Sequence, residues 1–306
     1  DACNRLIGYD DSLRGTRRFT YDGVDHLIDV ADNQAVTENY LHDANGNLLA
    51  TRRGQAMTYA VGDRLTAVEG DVYSSDVWGN LVRTQTAAGE FRYEYTGEGF
   101  LKTASLPTGV TAKFQYDPLS RRTRKTVDGR TTKYAWNGVH LLSERSDGET
   151  TDYLFMHGSF FLAGMTQGGR HYSYVFDQLG TPTELLDDAG NIVWSADYSA
   201  YGEVLAERGM ELKQPFRFLG QYCDPELGWY YTRYRYYDPV LGRFTSPDPI
   251  GLAAGLNEYA YAPNPVNWVD PFGLVHVSHN GSSACCEVLS KCKWGAKSME
   301  QAKKKA

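Results

Sequence analysis

The sequence predicts an all-β fold in which consecutive β-hairpins share one long, curved sheet. The first observation is a repeat of roughly 20 residues, a period typical of arrays rather than of separate globules. The second is a turn pair inside the repeats, flanked by strands of alternating polarity. The third is composition, because 22 Tyr and 31 Gly among 306 residues suit half-buried strands joined by tight turns.

Each repeat contains an aromatic or Asp pair, a turn with Gly or Asn, and an alternating strand. Copies begin at Arg18, Asn39, Met57, Ser74, Tyr93, Phe114, Lys133 and Tyr174. The turn pairs, which tolerate positive φ, include Asn45-Gly46, Gly62-Asp63, Gly79-Asn80 and Asn137-Gly138. Since a single hairpin is marginal in water, neighbouring hairpins are expected to pair edge to edge. No convincing helix-period segment interrupts residues 1–274, and the stretch 250–257 is too short and too apolar for a linker.

Aromatic side chains of the alternating strands form the predicted core. They are Tyr93, Tyr95, Phe114, Tyr116, Tyr134, Trp136, Phe216, Phe218, Tyr230, Tyr236 and Phe244. Trp229, Trp268 and Phe272 are expected to seat the C-terminal segment against the sheet. Stacking on sugars is the competing interpretation of such rings, and core packing explains them better.

Composition excludes several classes of function. A net charge of −7, from 38 acidic and 31 basic residues, does not indicate a general nucleic-acid binder. The lysine-rich end is interpreted as a solvated terminus. Five cysteines show no zinc-finger spacing, and neither a GxSxG signature nor a phosphate-binding loop is present. His276 and His279 could face a metal, with Cys285, Cys286 and Cys292 nearby, but an ordinary linker is favoured, so neither metal nor cofactor is predicted.

No signal peptide opens the chain, and no apolar run is long enough to span a bilayer. The chain starts without Met and runs straight into a repeat, which suggests a fragment of a longer protein.

Residues 215–274 stand apart from the preceding repeats because they combine dense aromatics with four Asp-Pro pairs. The pairs are Asp224-Pro225, Asp238-Pro239, Asp248-Pro249 and Asp270-Pro271. After Leu274 the composition changes abruptly, which marks a boundary. Three parts are therefore predicted: repeats over 1–214, a core segment over 215–274, and the start of a different segment over 275–306.

The Tyr-Asp repeat with its Gly-Asn turn resembles the YD repeat of Rhs proteins, Tc-toxin C subunits and teneurins. Residues 230–274 closely resemble the Rhs-associated core that ends such a repeat region. The family's PxxxxDPxGL pattern matches at Pro265, Asp270, Pro271, Gly273 and Leu274. The resemblance implies a hollow shell, a spiral of β-hairpins that encloses a C-terminal effector. It also implies that the core plugs the shell and cuts the chain directly after Leu274.

Two carboxyls held close together cannot both ionise easily, so one keeps its proton while the other acts as a base. By the resemblance, the paired aspartates of the family correspond to Asp248 and Asp270, and the supporting arginine to Arg235. Arg233 and Arg243 are rivals for the arginine role. The predicted cut lies between Leu274 and Val275, and Asp248→Asn is expected to abolish it because Asn cannot serve as the base. An Asp-Pro pair alone also suits an ordinary turn, the role predicted for Asp224 and Asp238.

The predicted function is a toxin-encapsulating shell with single-turnover, aspartyl-type autoprotease activity. Its expected partners are its own C-terminal effector, a type VI spike or Tc-type component and a cognate immunity protein, with no nucleic acid bound through the shell. Such a protein is made in the bacterial cytoplasm and then delivered to a target cell. The alternatives are a non-enzymatic cell-surface protein that mediates adhesion or binds glycans, and a metal-dependent nuclease in the tail.

Overall fold

The computed structural model describes residues 1–209 and 211–278. In this part of the chain the fold is all-β, which confirms the predicted fold class, and its one short 3₁₀ helix spans Gly251–Ala253. The strands form two sheets of four, one sheet of sixteen and one pair. All pairing is antiparallel, and no helix is found between residues 20 and 200.

The N-terminal sheet contains four strands paired in chain order. They are β1 (Gly8–Asp11), β2 (Gly15–Tyr21), β3 (Leu27–Asp32) and β4 (Ala35–Asn39).

The main sheet contains sixteen strands, again paired strictly in chain order. They are β5 (Met57–Ala60), β6 (Arg64–Val68), β7 (Asp71–Ser75), β8 (Leu81–Thr86), β9 (Gly89–Tyr95), β10 (Leu101–Ser105), β11 (Thr111–Tyr116), β12 (Arg122–Val127), β13 (Arg130–Asn137), β14 (His140–Ser146), β15 (Glu149–Phe155), β16 (Leu162–Gln167), β17 (Arg170–Phe176), β18 (Pro182–Leu186), β19 (Ile192–Tyr198) and β20 (Val204–Arg208).

The repeats fall into two sheets rather than the one expected. Between them, two successive tight turns at Gly46 and Gly54, both with positive φ, leave room for only isolated bridges. These bridges pair His42 with Leu48 and Ala50 with Ala56. The ladder is therefore interrupted because the turns follow each other too closely for full strands to form.

The Tyr-Asp pair has a defined structural role, seen clearly at Tyr116 and Asp117. Oδ1 of Asp117 accepts the backbone N–H groups of Leu119 and Arg121, at 2.9 Å each, which closes the turn after the strand. The Tyr116 hydroxyl donates to the carbonyl of Leu101 at 2.8 Å and ties the turn to an earlier strand. An aspartate that accepts two backbone donors specifies the turn locally, which explains why the pair recurs with the hairpin.

The C-terminal segment forms a small sheet that packs on one face of the main sheet. Its strands are β21 (Tyr222–Asp224), β22 (Trp229–Tyr231), β23 (Tyr236–Asp238) and β24 (Arg243–Phe244), and a final pair joins β25 (Trp268–Val269) to β26 (Val277–Ser278). Aromatic rings of the two sheets pack against each other. The ring centroids of Tyr93 and Trp229 lie 4.6 Å apart, and those of Tyr134 and Tyr222 lie 5.5 Å apart. The curved main sheet thus shares one apolar core with this small sheet.

Most of the predicted core rings are buried. Tyr95, Tyr116, Trp136 and Trp268 are only half-buried, yet each packs against a buried cluster. Phe272 is buried against Phe160 of the main sheet's turn, with ring centroids 5.1 Å apart. The strand faces assigned from alternation are therefore the right ones.

Asp224 does more than the turn role predicted for it. Its side chain is 0% exposed, pairs with Arg122 of β12 and accepts from Lys125 Nζ at 2.8 Å. Burial raises the pKa of Asp224, but the two cations outweigh burial and hold it below its usual value. The guanidinium carbon of Arg122 lies 4.7 Å from the ring centroid of Tyr134 and 4.5 Å from that of Tyr231, so these rings flank the cation. Asp224 thus anchors the small sheet to the main sheet.

Asp238 keeps the role predicted for it. Oδ1 accepts the N–H groups of Val240 and Leu241, at 3.0 and 3.1 Å, so this aspartate opens a turn.

Candidate functional site

Three separate turns of the C-terminal segment carry the predicted site residues. Arg235 ends the turn before β23, Asp248 follows β24, and Asp270 follows β25 directly. The Asp-Pro dipeptide shapes the second turn, because Asp248 Oδ1 accepts the N–H of Ile250 at 2.9 Å. The strands thus bring together groups that are up to 35 residues apart in sequence.

The guanidinium of Arg235 lies between the two aspartates. Its Nη2 is 2.6 Å from Asp248 Oδ2 and 3.3 Å from Asp270 Oδ2, so these oxygens are no farther apart than the sum of the two contacts. Nε donates to the carbonyl of Gly273 at 2.7 Å, and Nη1 donates to that of Glu258 at 2.8 Å. The side chains of Arg235, Asp248 and Asp270 are each 1–2% exposed. One buried cation therefore connects both carboxyls to the backbone just before Leu274.

The rival arginines lie elsewhere. Arg233 donates to the carbonyl of Leu119, while Arg243 lies between the rings of Tyr59 and Tyr259. Arg235 stacks on Phe244, with its guanidinium carbon 3.6 Å from the ring centroid. Of the three arginines, Arg235 is the one that contacts both aspartates.

The electrostatics of the site favour one retained proton. Burial raises the pKa of Asp248 to about 7, and the negative charges of Asp270 and Glu258 add to this effect. Arg235 and the Ile250 N–H act in the opposite direction but do not cancel it. Asp248 Oδ2 has no well-directed hydrogen bond from any described residue, although the Arg235 charge is close. A carboxyl with this pKa carries a proton for a large part of the time near neutral pH.

The backbone around the predicted cut is held against Asp270. The N–H of Leu274 donates to Asp270 Oδ1 at 2.9 Å, and this nitrogen is two covalent bonds from the Leu274 carbonyl carbon. Gly273 has φ +69°, and a Cβ there would lie 2.4 Å from Thr232 Oγ1. Glycine is therefore required for the chain to turn over the carboxylate.

Leu274 itself is 1% exposed and sits in an apolar cluster that we call the leucine pocket. The other buried members of the pocket are Phe160, Leu179, Leu219, Val269 and Phe272, and Val275 packs against it half-buried. Phe160 and Leu179 belong to turns of the main sheet, whereas the remaining members belong to the C-terminal segment. The residue before the predicted cut is thus immobilised by both parts of the fold.

The two prolines of the motif also have defined surroundings. Pro265 is buried, and Pro271 lies against Gly220, where a Cβ would approach the Pro271 carbonyl oxygen to 2.5 Å. Beyond the predicted cut, Val269 pairs with Val277 in the short ladder of β25 and β26. Residues 268–278 therefore form a hairpin whose loop contains both Asp270 and the Leu274–Val275 bond.

A cavity of about 250 Å³ adjoins the site and gives water room beside a bond that is otherwise enclosed. Its lining includes Arg235, Asp248, Asp270 and Leu274 from the site, together with residues of the N-terminal region such as Asn47. Sequence reasoning missed the contributions of Thr232, Phe244, Glu258 and Tyr261. Tyr261 stands in the aromatic stretch just before the motif, which is the one signal that could have drawn attention to it.

Within residues 1–209 and 211–278 there is no group of three or more His, Cys, Asp or Glu side chains that could hold a metal ion. Of the suggested metal ligands, His279 and the tail cysteines lie outside the described residues. No helix in the described ranges has the length and apolarity needed to cross a membrane.

Comparison with known proteins assigns the chain to a family. The family model described as Teneurin YD-shell matches residues 6–272. Double-stranded DNA deaminase toxin A of Burkholderia cenocepacia (strain H111) is 34% identical over 311 residues, covering 90% of this chain and 22% of that protein. Toxin protein Tse5 of Pseudomonas aeruginosa is 30% identical over 349 residues, covering 90% of this chain and 26% of that protein. The chain therefore spans only about a quarter or less of the length of these relatives.

A solved structure has the same fold. The crystal structure of TcdB2-TccC3-TEV aligns with a TM-score of 0.59 at 19% identity, covering 88% of this chain and 18% of that one. The likeness in fold agrees with the ordered hairpin array described above. Since the family match extends over residues 6–272, the chain is a YD-shell protein of the Rhs type and belongs to the teneurin YD-shell family.

Proposed function

We propose that this chain forms the wall and plug of a toxin-carrying shell and cuts its own backbone between Leu274 and Val275. One observation carries the proposal: Arg235 joins Asp248, Asp270 and the Gly273 carbonyl, while Asp270 accepts the Leu274 N–H. Two carboxyls and an arginine are thereby held against the peptide unit that precedes the predicted cut, which supports the proposal. Autoproteolysis of this kind is intramolecular and happens once per chain.

The mechanism uses the two carboxyls in different protonation states. Asp270, as the carboxylate, takes a proton from a cavity water as the water oxygen bonds to the Leu274 carbonyl carbon. Asp248, as the acid, gives its proton to the carbonyl oxygen. The tetrahedral intermediate then collapses: a hydroxyl proton returns to Asp248, Asp270 protonates the Val275 nitrogen, and the C–N bond breaks. The products are the Leu274 carboxyl group and the Val275 amine, with the pair restored.

The raised pKa of Asp248 supports the acid role for this residue, in place of the base role expected from the sequence. Arg235 compensates the single negative charge of the pair and orients both carboxyls through its planar fork. Its bond to the Gly273 carbonyl fixes the peptide unit that precedes Leu274. Rigid placement of the reacting groups is a large source of rate acceleration in such reactions.

The released segment would be a C-terminal effector, because the relatives are named as a DNA deaminase toxin and a toxin protein, and another as a probable deoxyribonuclease. Delivery through a type VI spike or a Tc-type partner, and protection of the producing cell by an immunity protein, complete the proposal. A non-enzymatic adhesion protein would have no use for a carboxyl pair held on a buried bond, which is why autoproteolysis is preferred.

Intact-mass measurement of the purified chain tests the proposal. The chain is expected to yield two products, residues 1–274 and 275–306, in amounts that do not depend on protein concentration. Asp248→Asn is expected to leave the chain uncut. Asp238→Asn is the matched control, because it changes another Asp-Pro aspartate, half-buried and bonded to its own turn and to Trp229, and should cleave normally. An uncut parent chain, or normal cleavage of Asp248→Asn, would contradict the mechanism.

A further inference from the structure

Tyr261 is a buried polar side chain at the site that the mechanism above does not use. It is 1% exposed and lines the same cavity as Asp248, Asp270 and Leu274. Its hydroxyl oxygen accepts the backbone N–H of Asp270 at 3.3 Å. The phenol thus contacts the main chain of one member of the carboxyl pair.

The ring of Tyr261 is held by other aromatic rings. Its centroid lies 4.9 Å from that of Tyr237 and 6.0 Å from that of Phe244. Phe244 is the ring on which the Arg235 guanidinium stacks. Tyr261 is therefore packed against the support of Arg235 and bonded to the backbone of Asp270, so it can fix the two groups relative to each other.

The hydroxyl of Tyr261 still has a hydrogen to donate. Its oxygen is already an acceptor, and no described residue accepts from it in return. Burial raises the pKa of Tyr261 far above its usual value, so the phenol stays protonated and acts as a donor, never as a base. A buried hydroxyl hydrogen beside a polar cavity is expected to bond to water there.

We propose that Tyr261 is a positioning residue for the self-cleavage: it fixes the Asp270 backbone and donates to the water that attacks Leu274. The inference rests on the proposed function and adds a third polar group to it. Without Tyr261, the water is oriented by Asp270 alone, and the Asp270 backbone N–H loses its hydrogen-bond acceptor.

Tyr261→Phe tests the inference, because it removes only the oxygen. Tyr237→Phe is the matched control, since Tyr237 is 0% exposed and its hydroxyl donates to the Tyr201 carbonyl at 2.8 Å. Chains made by cell-free translation are chased at a series of pH values, and uncut and cut forms are quantified. Tyr261→Phe should slow cleavage about tenfold to a hundredfold. The high-pH limb of its rate profile, which Asp248 sets, should keep its position, because the phenol contacts Asp270 and not Asp248.

The outcomes separate this inference from the proposed function. Cleavage of the parent chain with none in Asp248→Asn supports the proposed function whatever Tyr261→Phe does. If Tyr261→Phe then cleaves at the parent rate across the pH series, the positioning role is wrong. Equal slowing of Tyr261→Phe and Tyr237→Phe, with equal losses of melting temperature, would also overturn it, since that pattern reports general destabilisation.

Discussion

The buried carboxylate of Asp224 should be one of the strongest single links between the small sheet and the main sheet. Asp224→Asn keeps the size of the side chain but removes its charge. Lys125 retains Glu226 at 3.0 Å, whereas Arg122 loses the one carboxylate with which it pairs among the described residues. Arg122 is 1% exposed, so water cannot replace the lost partner.

Breaking a buried ion pair by removing one partner typically costs about 3–5 kcal/mol, because the other charge is left uncompensated. A loss of this size lowers the melting temperature of a chain of this length by on the order of 10 °C. The effect should depend on pH in a defined direction. The folded-state pKa of Asp224 is lowered, so its contribution is present above the unfolded pKa of about 3.9 and is lost as the pH falls through the folded value.

Urea unfolding of the chain with Asp224 and with Asn at this position measures the difference in unfolding free energy. Both chains also carry Asp248→Asn, which is expected to keep them uncut. Asp238→Asn is the matched control, since burial raises the pKa of Asp238 to about 6 and no cation depends on it. At pH 8 the control should lose about 1 kcal/mol, the usual worth of one hydrogen bond, because the Asn oxygen keeps the turn but its amide nitrogen cannot accept from Trp229 Nε1. Equal losses of unfolding free energy in the two variants would refute the reasoning. So would a difference in unfolding free energy between the parent and Asp224→Asn that does not shrink below about pH 4.

Cleavage should slow about tenfold per pH unit above roughly pH 7, because the acid Asp248 loses its proton there. Pulse-chase experiments in buffers from about pH 6 to 9 measure the cleavage rate, and a rate that rises across this range would contradict the acid role. Gly273→Ala should block cleavage, because the new Cβ meets Thr232 Oγ1 in a backbone conformation with positive φ. A single intact mass is the expected result, and two products would count against the turn geometry. Arg235→Lys should slow cleavage at least about a hundredfold, since the ammonium keeps the charge but cannot reproduce the planar fork; parent-like kinetics would show that charge alone suffices.

Much of the fold follows from local chemistry. A turn that tolerates positive φ, preceded by an aspartate such as Asp117 and followed by an alternating strand, specifies a hairpin without reference to the rest of the chain. The assignment of rings to the buried face follows from the two-residue period of a strand. The candidate site could also be predicted from the sequence, because the motif spacing and the family resemblance indicated Asp248, Asp270 and Arg235.

What the local pattern could not provide is the set of partners that each group meets in three dimensions. Asp224 and Asp238 stand in the same Asp-Pro context, yet one pairs with Arg122 about a hundred residues away, whereas the other closes its own turn and accepts from nearby Trp229. Likewise, burial and neighbouring charge, which depend on packing, raise the pKa of Asp248 and favour it as the acid. The sequence by itself determined the hairpins and the buried faces, since these depend on neighbours in the chain, while the candidate residues came from the family resemblance. Only the tertiary structure decided which arginine contacts both aspartates, because that choice depends on strands brought together by packing.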